Sequence, residues 1–408
     1  MRILQINCWY DMGSTGKIVQ AIHSYALLHG HESYVIYGMG QKNDDLHAFR
    51  TTSPLLRKAQ SFCTRLTGYP YGGCPWGTFH ALNYIQKIKP DIVHIQCMNG
   101  YMVNIYSILK FLKAHEIPTV ITNHAEFMFT GGCTHAVDCE QWKTGCIKCN
   151  KIGKEHPKSY FFDRVKEEWE LMQNAYKGFK NLYICCVSDW LRNRARQSPF
   201  YHGYKVETVL NGVNTDIFNS HLVNYRLLRE KLGLRNRKIV IHVTPGFDSP
   251  IKGGKHVVEM ARRFPYVDFL VVGDGKRIPQ YPANLKFAGR INDQKLLSDI
   301  YALGDVTLLT SLRETFSMVT AESLCCGTPV VGFKAGGPET IALRDYSSFV
   351  EQGDDDQLYL QLNQMLSKQF DKKKFSQIAC ETYSDQTMCR NYFKVYEELL
   401  SQSHVRHP

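Results

Sequence analysis

The chain has 408 residues, of which 44% are hydrophobic and 21% charged, with a formal net charge of +11. That length holds about two to three domains, the composition excludes a disordered or fibrous chain, and no apolar run reaches the ~18 residues of a membrane span. The basic balance admits nucleic acid, an anionic membrane surface or phosphorylated substrates.

Residues 2–7 (RILQIN) read as a parallel strand with no signal-peptide core ahead of it, so the expected setting is cytoplasmic. A glycine-bearing turn, DMGSTGK at 11–17, leads into an amphipathic helix with Ile18, Ile22 and Leu27 among its apolar positions. Gly13 and Gly16 either let the backbone approach a ligand or close a tight strand-to-helix turn. The turn lacks the G-x4-G-K-[ST] spacing of a P-loop, which excludes that class of triphosphate hydrolase. Residues 33–37 are a second strand. Residues 48–80 join aromatics and glycines, among them Tyr69, Tyr71, Gly72, Gly73 and Trp76, to a basic amphipathic stretch. Two readings stay open there: an acceptor-side or membrane-facing excursion, and a long loop with a helix.

Pro90 introduces a strand at 90–95, a helix follows at 104–115, and a strand at 118–122 ends on Asn123-His124. The alternation predicts an α/β fold with helices on both faces of a parallel sheet. His124 falls at the carboxyl end of its strand, the edge where such sheets bind ligands, with a satisfied structural histidine as the alternative. Cys133, Cys139, Cys146 and Cys149 follow with the spacing C-x5-C-x6-C-x2-C. Four thiolates in one compact loop suit a structural tetrahedral zinc; reduced buried thiols or a disulfide pair are the alternatives. Cys185, Cys186, Cys325 and Cys326 lie in apolar contexts and read as buried thiols. Residues 158–180 are expected to form one long amphipathic helix, 183–187 a strand, and Ser188 the cap of a helix over 190–197. Basic runs at Arg57-Lys58, at Arg192, Arg194 and Arg196, and at 235–238 come with no nucleic-acid motif. They read as a solvated face or as a face for anionic lipid.

A domain boundary is placed near residue 205, giving domains of 1–205 and 206–385 and a terminal helical segment at 386–408. The second domain shows strands at 238–243, 269–275, 285–290 and 305–309, with a helix at 296–303. The chemistry concentrates in SLRETFSMVTAESLCCGTPVVGFKAGGPET at 311–340. A helix begun near Phe316 must stop before Gly327, because Pro329 cannot extend it, and 329–332 is a buried strand. Glu314 then lies in the loop at the carboxyl end of the preceding strand, and Glu322 on the helix. Carboxylates at that edge accept hydrogen bonds from sugar hydroxyls, and a helix N-terminus with glycine amides takes phosphate. The stretch suits a ligand with a polyol and a phosphate.

E-x7-E, then C-G-T-P-V-V, then G-G-x-E (Glu314, Glu322, Gly327, Thr328, Pro329, Gly336, Gly337, Glu339) resembles the signature of retaining glycosyltransferases of family 4. The resemblance covers nearly the whole chain. TNHAEFMFTGGC at 122–133 is similar to that family's T-L-H-D-x-W-x-F-T-G-G-C, with Ala125 and Phe127 in place of the aspartate and tryptophan. NGVNTD at 211–216 is similar to its interdomain linker, and the cysteine-rich loop to that of bacterial exopolysaccharide, capsule and colanic-acid-type enzymes. The resemblance implies the GT-B fold, two Rossmann-like parallel-sheet domains facing a central cleft, with the terminal helix crossing back to the first. It implies transfer of a sugar from a UDP- or GDP-sugar to a glycan or lipid-linked oligosaccharide in surface polysaccharide biosynthesis. No catalytic cofactor and no nucleic acid enter, and the setting is the cytoplasm, peripheral at the inner face of the cell membrane. It assigns catalytic roles to His124, Lys252 and Glu314, and donor binding to Gly13, Gly16, Gly246, Lys252, Arg290, Glu314, Phe316, Ser317, Glu322 and Glu339. Lys252 neutralises the leaving diphosphate, Glu322 holds the ribose, and Glu314 and Glu339 orient the sugar and pyrophosphate. The arginine that accompanies this lysine in the family is missing: its two usual places hold Phe247 and Ile251. Lys255, Arg290 or the helix N-terminus are the available substitutes. The alternatives are a nucleotide-sugar epimerase of the same fold and a nonenzymatic scaffold that binds glycan or membrane.

Overall fold

The computed structural model describes residues 1–40, 42, 44–220, 225–276 and 280–405. The chain divides into two compact units, Met1–Leu210 with Met388–Pro408, and Asn211–Thr387. The division falls after Leu210 rather than near 205 because the short strand Lys205–Thr208 pairs with Leu182–Cys186 of the first unit.

The first unit is built on seven parallel strands: β1 (Arg2–Ile6), β2 (Glu32–Tyr37), β3 (Ala48–Arg50), β4 (Ile92–Ile95), β5 (Thr119–Asn123), β6 (Leu182–Cys186) and β7 (Lys205–Thr208). Their order is β3-β2-β1-β4-β5-β6-β7. Helices bury both faces of such a sheet, so β4, β5 and β6 are buried along their whole length. Ile3, Ile22, Ile92, Val120 and Tyr183 pack against Met388, Tyr392 and Tyr396 of the terminal helix Asp385–Val405. Inside this core His94 meets the Tyr396 hydroxyl at 2.6 Å and Thr122 Oγ1 at 2.8 Å. Burial lowers its pKa to about 3, so the ring is neutral.

The second unit has six parallel strands: β8 (Ile239–Val243), β9 (Asp268–Val272), β10 (Leu285–Gly289), β11 (Val306–Leu309), β12 (Val330–Phe333) and β13 (Ser347–Val350). Their order is β10-β9-β8-β11-β12-β13. Each sheet reverses direction of growth once, between β1 and β4 and between β8 and β11. Loops leaving the two central strands diverge there, which opens a crevice at the carboxyl edge.

Two expectations are corrected, and one open stretch is resolved. The helix expected over 158–180 is confined to Val165–Tyr176. Ahead of it the chain takes its partners elsewhere: Tyr160 donates its amide to the Arg65 carbonyl at 2.8 Å, and Arg164 Nε donates to the Thr67 carbonyl at 2.8 Å. The undecided stretch 48–80 resolves into β3 and two helices, Pro54–Thr67 and Pro75–Ile88. Leu27 is exposed; Ile18, Val19, Ile22 and Ala26 form the buried face of the first helix, Gly13–Leu28. Ser188 caps its helix as expected, accepting from the Leu191 amide at 3.2 Å, over Asp189–Ala195.

Candidate active site

In the second unit the switch point carries Lys252 on the loop after β8 and Glu314 on the loop after β11. Their side chains meet, Lys252 Nζ to Glu314 Oε1, at 2.6 Å, and each is about a quarter exposed. The two loops are stitched together beneath the pair. The Leu312 amide donates to the Ile251 carbonyl at 2.8 Å, and Thr310 Oγ1 to the Lys252 carbonyl at 3.0 Å. Gly253, at φ +68°, lies so close to this strand end that a Cβ would come 2.2 Å from the Thr310 oxygen. Only glycine fits there.

The loop after β12 joins the same site. Glu314 donates its amide to Ala335 at 2.9 Å and accepts from Gly337 at 2.8 Å. The Glu339 carboxylate accepts from the Ala335 amide at 3.0 Å and the Gly336 amide at 2.9 Å. A Cβ on Gly337 would fall 2.4 Å from the Thr315 oxygen. The G-G-x-E motif therefore clamps its own loop against the one that bears Glu314. Phe316 is buried, so its side chain belongs to the unit's interior. Ser317 sits at φ +80° and caps the helix Met318–Cys325 through its hydroxyl, which accepts from the Thr320 amide at 3.2 Å. Glu322 lies half-buried on that helix and accepts from the Tyr301 hydroxyl at 3.2 Å.

Arg290 stands at the exposed end of β10, with Nε 3.6 Å from Asp274 Oδ2. Asp274 lines a pocket of about 360 Å³ with Gly273, Gly275, Phe287, Ala288 and Gly289, at the carboxyl ends of β9 and β10. Gly246 has no such constraint; a Cβ there would touch nothing within 4 Å. Phe247, where the family's arginine usually stands, is a core residue. Its ring meets Phe287, His242 and Tyr281 at 5.2, 5.8 and 6.0 Å. The arginine is thus replaced by an apolar packing element, while Ile251 is exposed.

In the first unit the switch point holds the start of the Gly13–Leu28 helix. Met12 makes no side-chain cap there, so the first-turn amides carry no such partner. Gly13 adopts φ +67° with open space around it. Gly16 is explained by the turn itself: a Cβ would lie 3.2 Å from Trp9 Cβ, and the Asp11 amide bonds the Gly16 carbonyl at 3.2 Å. Asn7 Oδ1 ties the neighbouring loop by accepting from the Cys97 amide at 3.0 Å.

His124 stands at the end of β5 with Nε2 2.6 Å from Gln96 Oε1. The Gln96 amide donates to Gln5 Oε1 at 3.3 Å, and Gln5 donates to the Val19 carbonyl at 3.0 Å. A backbone carbonyl can only accept, so the relay runs one way and leaves Nε2 of His124 as the donor. Burial lowers the His124 pKa to about 4, which keeps the ring neutral near pH 7.

The cysteine loop is braced by a different device. Glu126 is fully buried and accepts from Arg194 Nε at 2.9 Å and from the Ala136 amide at 2.5 Å. The guanidinium also covers Trp142 and Trp190, each at 5.3 Å. Arg194, read from sequence as part of a surface run, is an interior partner. Cys133, Cys139, Cys146 and Cys149 are free thiols. Cys133 and Cys149 share a hydrogen bond that lowers the Cys149 pKa below that of an ordinary thiol. Among the described residues no group of three or more His, Cys, Asp or Glu is placed to hold a metal ion.

Sequence reasoning did not name Gln96, Tyr301, Asp274 or the Glu126–Arg194 pair. Gln96 and Asp274 follow the ends of β4 and β9, so the strand-end rule that located His124 could have found them. Tyr301 and Arg194 had no local signal, because their partners are distant in sequence.

The sequence family described as Glycosyltransferase Family 4 matches residues 18–217, and Glycosyl transferases group 1 matches residues 242–368. The chain is 22% identical to WcaC of Escherichia coli (strain K12), named as a colanic acid biosynthesis glycosyl transferase, over 98% of this chain and 100% of that one. Among solved structures it superposes on sucrose-phosphate synthase of Thermosynechococcus elongatus with a TM-score of 0.69 at 15% identity, covering 98% of this chain and 100% of that one. It superposes on Anabaena HepE in complex with UDP with a TM-score of 0.66 at 16% identity, again covering 98% and 100%. HepE is also known in complex with UDP-glucose. Two parallel-sheet units of seven and six strands, each with one switch point, are the GT-B architecture. The chain belongs to the group 1, family 4 glycosyltransferases and is a glycosyltransferase enzyme.

Proposed function

We propose that this enzyme transfers a sugar, with retention, from a UDP- or GDP-sugar to a glycan or lipid-linked oligosaccharide in surface polysaccharide biosynthesis, in the cytoplasm at the inner face of the membrane. The observation that carries the reading is the Lys252–Glu314 contact at the β8/β11 switch point, in the same unit as the glycine-lined pocket beyond β9 and β10. The nucleotide base takes the pocket, the Glu322 carboxylate the ribose, and Lys252 the diphosphate. As the bond from the anomeric carbon to the diphosphate oxygen breaks, negative charge grows on that oxygen, and an ammonium fixed nearby stabilises it. The acceptor oxygen bonds to the same face of the anomeric carbon, and its proton leaves with the diphosphate. Glu314 and the loop clamped by Glu339 orient the sugar. Neutral His124, donating from Nε2 to Gln96, serves the sugar or acceptor. The uridine nucleotides bound by HepE support the donor class, and the name of the E. coli relative supports the polysaccharide setting.

The test is thermal stabilisation by UDP-, GDP- and ADP-sugars, repeated with Glu322→Ala. A bound donor at a hundredfold excess over its Kd stabilises by about 2.7 kcal/mol. A shift with one nucleotide class, lost in Glu322→Ala, supports the reading. No shift with any donor overturns the donor-site assignment, in which the buried Phe247 stands where the family carries arginine. An altered nucleotide-sugar formed without acceptor would point to an epimerase.

A further inference from the structure

The helix Pro54–Thr67 buries the wrong side for a water-facing helix. Its buried positions are Gln60 and Thr64. Its small and apolar side chains Leu55, Ala59, Phe62 and Cys63 recur at helical spacing and are all exposed, Leu55 by 79% and Phe62 by 57%. A soluble helix turns such a stripe inward. Lys58 and Arg65 fall along one edge of the stripe, and the helix contains no acidic residue.

The loop ahead of Val165 extends the same surface. The Tyr160 amide bonds the Arg65 carbonyl at 2.8 Å, and the Arg65 side chain bonds Tyr160, which sets Phe161 beside the helix end with 73% of its surface exposed. Lys158 places its ammonium 5.1 Å from the centre of the Tyr160 ring. Arg164 adds no free charge, since Glu167 pairs with it at 2.8 Å. Asp163 on this loop is engaged by the Cys149 amide at 2.7 Å. Between Thr51 and Pro90 the chain has no aspartate or glutamate.

We propose that this face, the Leu55–Phe62 stripe with Phe161 and the cations Lys58, Arg65 and Lys158, docks onto an anionic lipid surface. An exposed apolar stripe bordered by cations is the pattern of a helix lying in a membrane interface. Charge complementarity selects the occupant: anionic headgroups answer the lysines and arginine, whereas a second copy of this chain would set the same cations against each other. No helix among the described residues is long and apolar enough to cross a membrane, so the contact is peripheral. The inference rests on the membrane setting proposed above and supplies its surface, without depending on the donor chemistry.

The experiment is flotation of the full chain with phosphatidylcholine vesicles, plain or carrying about one-third phosphatidylglycerol. Binding is expected to the anionic vesicles alone, and to fall several-fold as salt rises from about 0.1 to 0.5 M. Leu55→Ser with Phe62→Ser, and separately Lys58→Ser with Lys158→Ser, should each lower the bound fraction about tenfold or more. Both variants should keep the wild-type melting temperature and donor-induced shift. Equal binding to neutral vesicles, no binding to either, or indifference to both variants overturns the proposal. So does a concentration-dependent dimer in sedimentation that Phe62→Ser dissolves, which would make a second copy the occupant. Vesicles are assayed without donor and donors without vesicles, so failure of the docking face and failure of the donor reading are separate results.

Discussion

Lys252 Nζ and Glu314 Oε1, 2.6 Å apart, join the loops that leave the two central strands of the second unit. Because each side chain is about a quarter exposed, the pair itself contributes little to stability, about 0–1 kcal/mol. In the proposed reaction its cation stabilises the departing diphosphate. Lys252→Ala is expected to cut turnover about 10²–10³-fold while the melting temperature stays near the wild-type value. Steady-state transfer kinetics beside a thermal melt check this; turnover within a factor of ten would remove Lys252 from the chemistry.

Phe247 and Ile251 separate two ways of restoring the missing arginine. Phe247→Arg puts a guanidinium into a packed ring cluster and should cost several kcal/mol in denaturant unfolding. Ile251→Arg changes an exposed residue beside Lys252, so stability should move by no more than about 0.5 kcal/mol. If the donor diphosphate lies where proposed, that variant should tighten donor binding about tenfold by calorimetry.

Arg194→Ala leaves the fully buried Glu126 carboxylate without its cation. The expected loss is about 3–5 kcal/mol, because an unpaired buried charge costs more than the pair supplied. Adding Glu126→Gln should recover part of it, since the amide keeps an oxygen for the Ala136 amide and carries no charge. Equilibrium unfolding of the two variants decides the matter; equal stabilities would mean that Arg194 acts through its stacking on Trp142 and Trp190.

Three buried histidines are expected to make the protein less stable in acid. Burial lowers His94 to about 3, and His124 and His242 to about 4, from an ordinary value of 6.5. The unfolded chain binds protons that these rings refuse, so their contribution is full above about pH 6.5 and is lost as pH falls toward 4. His156 has the opposite sign: against burial, the Glu168 carboxylate raises its pKa, and that contribution fades as pH rises. The net expectation is a melting temperature that declines from about pH 6.5 downward, before most carboxylates titrate. His124→Gln should flatten part of that decline; an unchanged slope would place the ring's proton elsewhere.

Much of this molecule is legible in its residues alone. Buried parallel strands such as β4 and β6 are continuous apolar runs, and their ends point to the ligand edge, which located His124 and Glu314. Local rules also gave the stop before Gly327 and the Ser188 cap. The short strands β3, β7 and β13 escaped because three or four half-buried residues carry no period of their own.

What the chain's order of residues determined is whatever neighbours within a few positions decide: the rhythm of strand and helix, the caps, the glycines at turns, and the absence of arginine at Phe247 and Ile251. What only the tertiary structure decided is pairing and burial. Lys252 reaches Glu314 across 62 positions, and Arg194 leaves a basic run to meet Glu126 across 68. The Pro54–Thr67 helix turns its apolar side to solvent although its periodicity is the same either way round. A helical period states that two faces differ; which one is buried depends on what the rest of the fold brings against it.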